Sequence, residues 1–221
     1  MPSFDYGETE LRHLRRKDRK LACAIEQIGP IERAVTPDLF IALIHSIVGQ
    51  QIATKAAVTV WNRLLERCGE ITPQCLYAMD VGEIQQCGLS MRKARYIHGA
   101  SRAVALRELV LDEFYALPDA EIINRLSALD GVGVWTAEML LIFSLQRPDV
   151  VSWGDLAIRR GMMTLYGLNG LTRTQFDNYR KRYSPYGSVA SLYLWALAAR
   201  KPEAMNHAAD RRGKMAGSPS K

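Results

Sequence analysis

Three observations predict an all-α fold. Nearly every segment between Asp18 and Arg200 carries apolar residues at helical spacing. Most of these segments open on Asp, Ser, Thr or Pro and close on Gly, the residues that cap and end helices. No segment combines strict apolar–polar alternation with β-branched enrichment, so a sheet is not expected. The reading is about ten helices joined by short connections.

In chain order, Asp18 caps a helix to Ile28, closed by Gly29-Pro30. Thr36-Pro37-Asp38 opens a second, with Phe40, Ile41, Leu43, Ile44, Ile47 and Val48 as its apolar side and Gly49 as its break. Thr54 to Cys68 is a third, closed by Gly69. Thr72-Pro73 opens a short helix, and Asp80 opens another that stops at Cys87-Gly88. Met91 to Glu108 is a long basic helix with Arg92, Lys93, Arg95, Arg102 and Arg107. Pro118 to Leu129 and Trp135 to Leu145 flank a glycine hairpin. Asp155 to Tyr166, Thr172 to Tyr183 and Tyr186 to Arg200 complete the set. Residues 204–221 are small, polar and basic, and read as a disordered tail.

The chain has 221 residues, enough for one large domain or two small lobes sharing a core. A net charge of +6 favours polyanionic partners, though only mildly. Cys23, Cys68, Cys75 and Cys87 have no CxxC spacing, which argues against zinc or an iron–sulfur cluster; four free thiols in a reducing cytoplasm are expected. His13, His45, His98 and His207 show no metal spacing and read as structural or solvated. No secretory pattern opens the chain and no apolar run approaches a membrane span. A soluble intracellular protein is expected, cytoplasmic and nucleoid-associated, or nuclear in a eukaryote.

The most informative stretch is Leu129-Asp130-Gly131-Val132-Gly133-Val134-Trp135-Thr136-Ala137, followed by a lone carboxylate at Asp155. Gly131 and Gly133 supply turn geometry that other residues resist. The helix behind them begins with unpaired N–H groups at the positive end of its dipole, which suits a phosphate. Asp130 and Asp149 read as turn or surface residues.

The hairpin, Asp155 within Val150-Val151-Ser152-Trp153-Gly154-Asp155-Leu156, and the early Ile47-Val48-Gly49-Gln50-Gln51-Ile52-Ala53 together resemble the helix-hairpin-helix (HhH-GPD) DNA glycosylases, in particular the AlkA-like 3-methyladenine DNA glycosylase II branch. The resemblance runs from about residue 18 to residue 203. It implies two all-α lobes with the active-site cleft between them. The first lobe is expected over 37–115, and the second over 18–30 plus 118–203. A glycosylase domain over 1–203 holds its helix-hairpin-helix at about 120–145. Strand-cleaving members of the superfamily hold a lysine just before the Thr-Ala of the second hairpin helix. Trp135 stands there, and an indole is not a nucleophilic amine. A four-cysteine C-terminal cluster is also missing. The resemblance thus implies a monofunctional enzyme that activates water, and the chain lacks the β-rich N-terminal domain of the longest AlkA-like proteins.

Carried onto this sequence, the resemblance makes Asp155 the catalytic acid; its alternative is a plain helix N-cap. Trp135, Met139, Trp153, Trp195 and Tyr186 become the wall of a base pocket, against core packing as the alternative for each tryptophan. Met139 stands where the family places an aromatic. Tyr183 and Tyr186 replace tryptophans, and Gly187 stands where the family often has Arg. Gln51, with Gln50 beside it, maps to the side chain that fills the gap left by a flipped base; a polar helix start is the alternative. Leu89 and Ser90 map to a loop probing the opposite strand. Backbone at Gly131, Val132 and Gly133, the Thr136 hydroxyl, Arg92 and Lys93 are candidate DNA contacts, the last two otherwise a solvated basic face. No cofactor is implied beyond a monovalent cation, Na+ or K+, on the carbonyls of Leu129 and Val132. The partner implied is damaged double-stranded DNA, bound by a monomer without a membrane. Two competing functions stay open: a glycosylase for deaminated or oxidised bases, and a non-catalytic hairpin module.

Overall fold

The computed structural model describes residues 2–200; the expected tail at 204–221 lies outside them. The described residues are helical, with one isolated bridge between Ser3 and Ala34 and no strand. Twelve α-helices are α1 (Glu8–Lys17), α2 (Arg19–Ile28), α3 (Leu39–Gly49), α4 (Thr54–Cys68), α5 (Pro73–Ala78), α6 (Val81–Gln86), α7 (Met91–Ala105), α8 (Asp119–Ser127), α9 (Val134–Phe143), α10 (Leu156–Tyr166), α11 (Arg173–Tyr183) and α12 (Gly187–Ala199). A 3-10 turn spans Leu111–Ala116.

Capping side chains set most of the starts. Asp18, Asp38, Thr72, Ser90, Asp155 and Thr172 each accept a backbone N–H from the first turn of the helix they precede. α1 was not expected. Its sequence ETELRHLRRK buries only Leu11 and Leu14, too narrow a stripe to read. Glu8 and Glu10 in its first turn and Arg15, Arg16 and Lys17 in its last oppose the helix dipole and support it. α7 stops at Ala105, short of Glu108, where Arg107 takes a left-handed backbone with φ 59°. α9 ends at Phe143, and Gln146 with φ 50° turns the chain beyond it.

α5 and α6 pack on α7, and α3 packs on α4 and α7. A second group joins α1, α2, α10, α11 and α12, while α9 packs on α8 and touches α3. α12 is apolar on every side and runs through the core. Its closest neighbour is α10: a Cβ at Gly161 would lie 2.0 Å from the Leu194 carbonyl oxygen, so only glycine permits this approach. Asp18 is buried within the second group, at the junction of α1 and α2, accepting from the Tyr166 hydroxyl at 2.6 Å and from Arg182 at 3.2 Å. That pairing satisfies a charge that burial would otherwise penalise.

The four-thiol expectation is corrected. Cys68 at the end of α4 and Cys75 in the first turn of α5 form a disulfide across the Gly69 turn, with Cα atoms 5.9 Å apart. Cys23 is free and exposed, Cys87 free and buried. Among the described residues no helix is long and apolar enough to cross a membrane, and no three His, Cys, Asp or Glu side chains gather as a metal site would need.

Candidate active site

The two hairpin glycines serve different ends. Gly131 has φ 81°, and a Cβ there would meet the Tyr96 ring of α7 at 2.2 Å. The fold itself demands this glycine. Gly133 has an ordinary φ of −95° and open space where a Cβ would be. No packing reason excludes a side chain, so the missing Cβ leaves room for something outside the chain to approach the backbone. Gly133 is also the N-cap of α9, with no side chain to satisfy the first N–H groups. Val132 is buried and donates to the Leu129 carbonyl at 3.1 Å.

α9 then presents Trp135 to the site. Its indole N–H donates to Asp155 Oδ2 at 3.0 Å. The other oxygen, Oδ1, accepts the Ile158 amide at 2.8 Å, capping α10. Asp155 is therefore both a cap and a held carboxylate. It is 7% exposed, whereas Trp135 is 48% exposed, unusual for so large an apolar ring. The loop leading to Asp155 is fastened to α12. The Val150 amide donates to Ser188 Oγ at 3.0 Å, and Ser191 Oγ donates to the Val150 carbonyl at 3.0 Å. Asp149 is no mere surface turn: it accepts from Ser184 Oγ at 2.7 Å and from the Gly187 amide at 3.1 Å. The same closeness explains Gly187, where a Cβ would lie 2.6 Å from Asp149 Oδ1.

Glu138 lies one turn beyond Trp135, outside the motifs legible in the sequence. It is half-buried and accepts from the buried Ser152 hydroxyl, three residues before Asp155. Burial pushes its carboxyl above the usual carboxylate range, and the charge of Asp155 adds to this; Ser152, Arg173 and Arg180 pull the other way. Its spacing from Trp135 was the available signal.

A cavity of about 520 Å³ is lined by Ser46, Gly49, Gln50, Gln51, Gly131, Gly133, Trp135, Thr136 and Met139. Its size suits a small ligand. Seven of the expected site residues thus meet in one place. Gln50 Nε2 donates to the Gly131 carbonyl at 2.8 Å, tying the loop after α3 to the hairpin. Gln51 beside it is exposed and left-handed, with φ 55°. Asp155 lines neither this cavity nor a second one of about 490 Å³, but Trp135 lines both.

The remaining expected residues are spread more widely. Trp153 faces the second cavity, edge-on to Phe176 at 5.1 Å with the Arg159 and Arg173 guanidinium groups 5.0 and 5.4 Å from its ring. Tyr186 packs edge-on against His13 at 5.3 Å and lines neither cavity. Trp195 lies 5.4 Å from Phe143, two turns along α9 from Trp135, and likewise lines neither. Thr136 is buried in the first cavity, off the outer surface of the hairpin. Leu89 is a core residue; Ser90 caps α7 and Met91, 44% exposed, is the apolar side chain this loop offers outward. Arg92 is exposed, but the Lys93 ammonium is turned inward onto the Val48 carbonyl at 2.9 Å and the Gln50 carbonyl.

Comparison with known proteins places this arrangement. The HhH-GPD superfamily base excision DNA repair protein family matches residues 44–185, which include the Gln50–Gln51 loop, the hairpin and Asp155. The chain belongs to this superfamily. It is 30% identical over 198 residues to DNA-3-methyladenine glycosylase 1 of Schizosaccharomyces pombe, covering 87% of each chain. It is similar to the solved DNA-3-methyladenine glycosidase of Bacillus halodurans, with a TM-score of 0.82, 34% identity and coverage of 90% and 93%. The S. pombe 3-methyladenine DNA glycosylase bound to abasic DNA matches with a TM-score of 0.72, 31% identity and coverage of 85% and 95%. As a member of the HhH-GPD superfamily, the chain holds Trp135, in the first turn of the helix behind its hairpin, against Asp155.

Proposed function

We propose that this chain is a monofunctional DNA glycosylase, of the DNA-3-methyladenine glycosylase II type, that hydrolyses the N-glycosidic bond of alkylated purines in duplex DNA. The observation that carries the proposal is the Trp135–Asp155 pair: an exposed ring in the place of a nucleophilic amine, hydrogen-bonded to a fixed carboxylate.

As the base departs with the electrons of the glycosidic bond, positive charge builds on the deoxyribose. The Asp155 carboxylate stabilises that charge and orients a water, whose oxygen bonds to the sugar carbon while its proton passes to the acid or to solvent. An N-alkylated purine is already cationic and needs no proton to leave. The same charge stacks well on an electron-rich indole. Two of the four lone-pair sites of Asp155 are taken by Trp135 and Ile158, leaving acceptor capacity for the water. In this reading Gln51 fills the gap left by the flipped base, and Gly133 and the first amides of α9 meet a phosphate. Arg92 adds charge, and Met139 and Trp135 wall the pocket. The Leu129 and Val132 carbonyls are oxygen donors of the kind that hold Na+ or K+, and Leu129 keeps one lone pair beside its bond to Val132.

Incubation of the wild-type protein with methylated duplex DNA tests the proposal. Free 3-methyladenine is expected, with strand breaks only after added base. Release of no purine, or strand cleavage by the protein alone, overturns it.

A further inference from the structure

Lys93 stands on a basic helix face, yet its ammonium points into the protein. It donates to the carbonyls of Val48 and Gln50, which close the last turn of α3. A cation at the negative end of a helix is favourable, and these acceptors have no helical partner of their own. The next residue is Gln51, whose left-handed backbone a side-chain-bearing residue keeps only when its surroundings hold it. Lys93 grips the peptide plane between Gln50 and Gln51 on one side. On the other, the Gln50 side chain reaches the Gly131 carbonyl. Tyr96, three residues after Lys93 and on the same face of α7, lies against Gly131. One helix thus braces both the Gln51 loop and the hairpin.

We propose that Lys93 is a positioning residue: it holds the Gln51 loop in the shape that fills the duplex and makes no phosphate contact. The inference rests on the glycosylase reading, and the two fail separately. The experiment compares wild type, Lys93→Met, Lys93→Arg and Arg92→Met on a duplex carrying one methylated purine. Single-turnover base release, the salt dependence of binding to an abasic-site duplex, and hydrogen exchange at the Gln50 amide, bonded to the Ile47 carbonyl, are measured. Lys93→Met is expected to slow release on the order of 10- to 100-fold, as small misplacements do, with Lys93→Arg restoring part of it. Its salt slope stays at the wild-type value, whereas that of Arg92→Met falls by about one. Exchange at the Gln50 amide, which donates to the Ile47 carbonyl at the end of α3, rises in Lys93→Met while the amides of α10 stay protected.

A salt slope lowered by Lys93→Met, or unchanged exchange at the Gln50 amide, overturns the inference. If wild type releases no purine, the glycosylase reading falls, and the exchange data still decide whether Lys93 holds the loop. Should Lys93→Met not fold, the same measurements on Lys93→Gln, which drops the charge but keeps a hydrogen-bond donor, decide it: wild-type exchange at the Gln50 amide with a lowered slope refutes the brace.

Discussion

Asp155→Asn separates the two duties of this side chain. Asparagine caps helices about as well as aspartate, so its carbonyl oxygen keeps the Ile158 amide. Its NH2 then faces the Trp135 indole N–H, donor against donor, and that bond is lost. The half-exposed indole takes water instead, so the stability change should stay within about 1 kcal/mol. Asp155→Ala loses the cap as well, about 0.5–2 kcal/mol more. Activity follows a different order. Both variants remove the negative charge facing the developing cation, and loss of one such electrostatic partner costs about 2.7–4 kcal/mol, or 10²- to 10³-fold in rate. Thermal melting and single-turnover release of methylated purines, run on both variants, check the two scales together. Asn and Ala should be similarly slow but unequally stable. Near-wild-type release by Asp155→Asn would show that Asp155 is only a cap and refute the catalytic assignment.

Gly133→Ala should melt as wild type does and bind duplex more weakly, whereas Gly131→Ala should lose about 2 kcal/mol or more through strain and the Tyr96 clash; melting and a binding titration distinguish them. Gly161→Ala forces α10 off the Leu194 carbonyl and should cost several kcal/mol, about the upper end of single substitutions, read by denaturant unfolding. Glu138 has a folded-state pKa raised above its ordinary 4.5, so its contribution to stability is present below that value and is lost as pH rises through the raised one. Glu138→Gln should therefore flatten the fall of melting temperature with rising pH; a steeper fall in the variant would contradict the assigned direction.

Local signals were legible and distant partners were not. Asp18, Asp38, Ser90, Asp155 and Thr172 cap helices through bonds three residues away, within reach of pattern reading. The hairpin glycines and the acid were legible for the same reason, as short motifs. The inward turn of Lys93 is not legible because its acceptors lie 45 and 43 residues earlier, and nothing in a basic helix says which lysine turns inward. Leu89 failed as a probe because burial of a loop residue depends on what packs over it. Tyr186 and Trp153 sit within a few residues of genuine contacts to the site, but the non-helical backbone before α12 and before α10 points them at His13 and Phe176. α1 is not legible because two leucines in a charged decapeptide carry almost no periodic signal.

The backbone contact between Gly161 and Leu194 has a consequence for where selectivity resides. The acid rides on the end of a rod pressed against the central helix with no side chain between them, and a rod so seated has nowhere to slide. In the proposed reaction the nucleotide makes the whole journey to a stationary carboxylate. Discrimination among bases then begins in the DNA, with how readily each one leaves its stack, before the pocket wall has touched it.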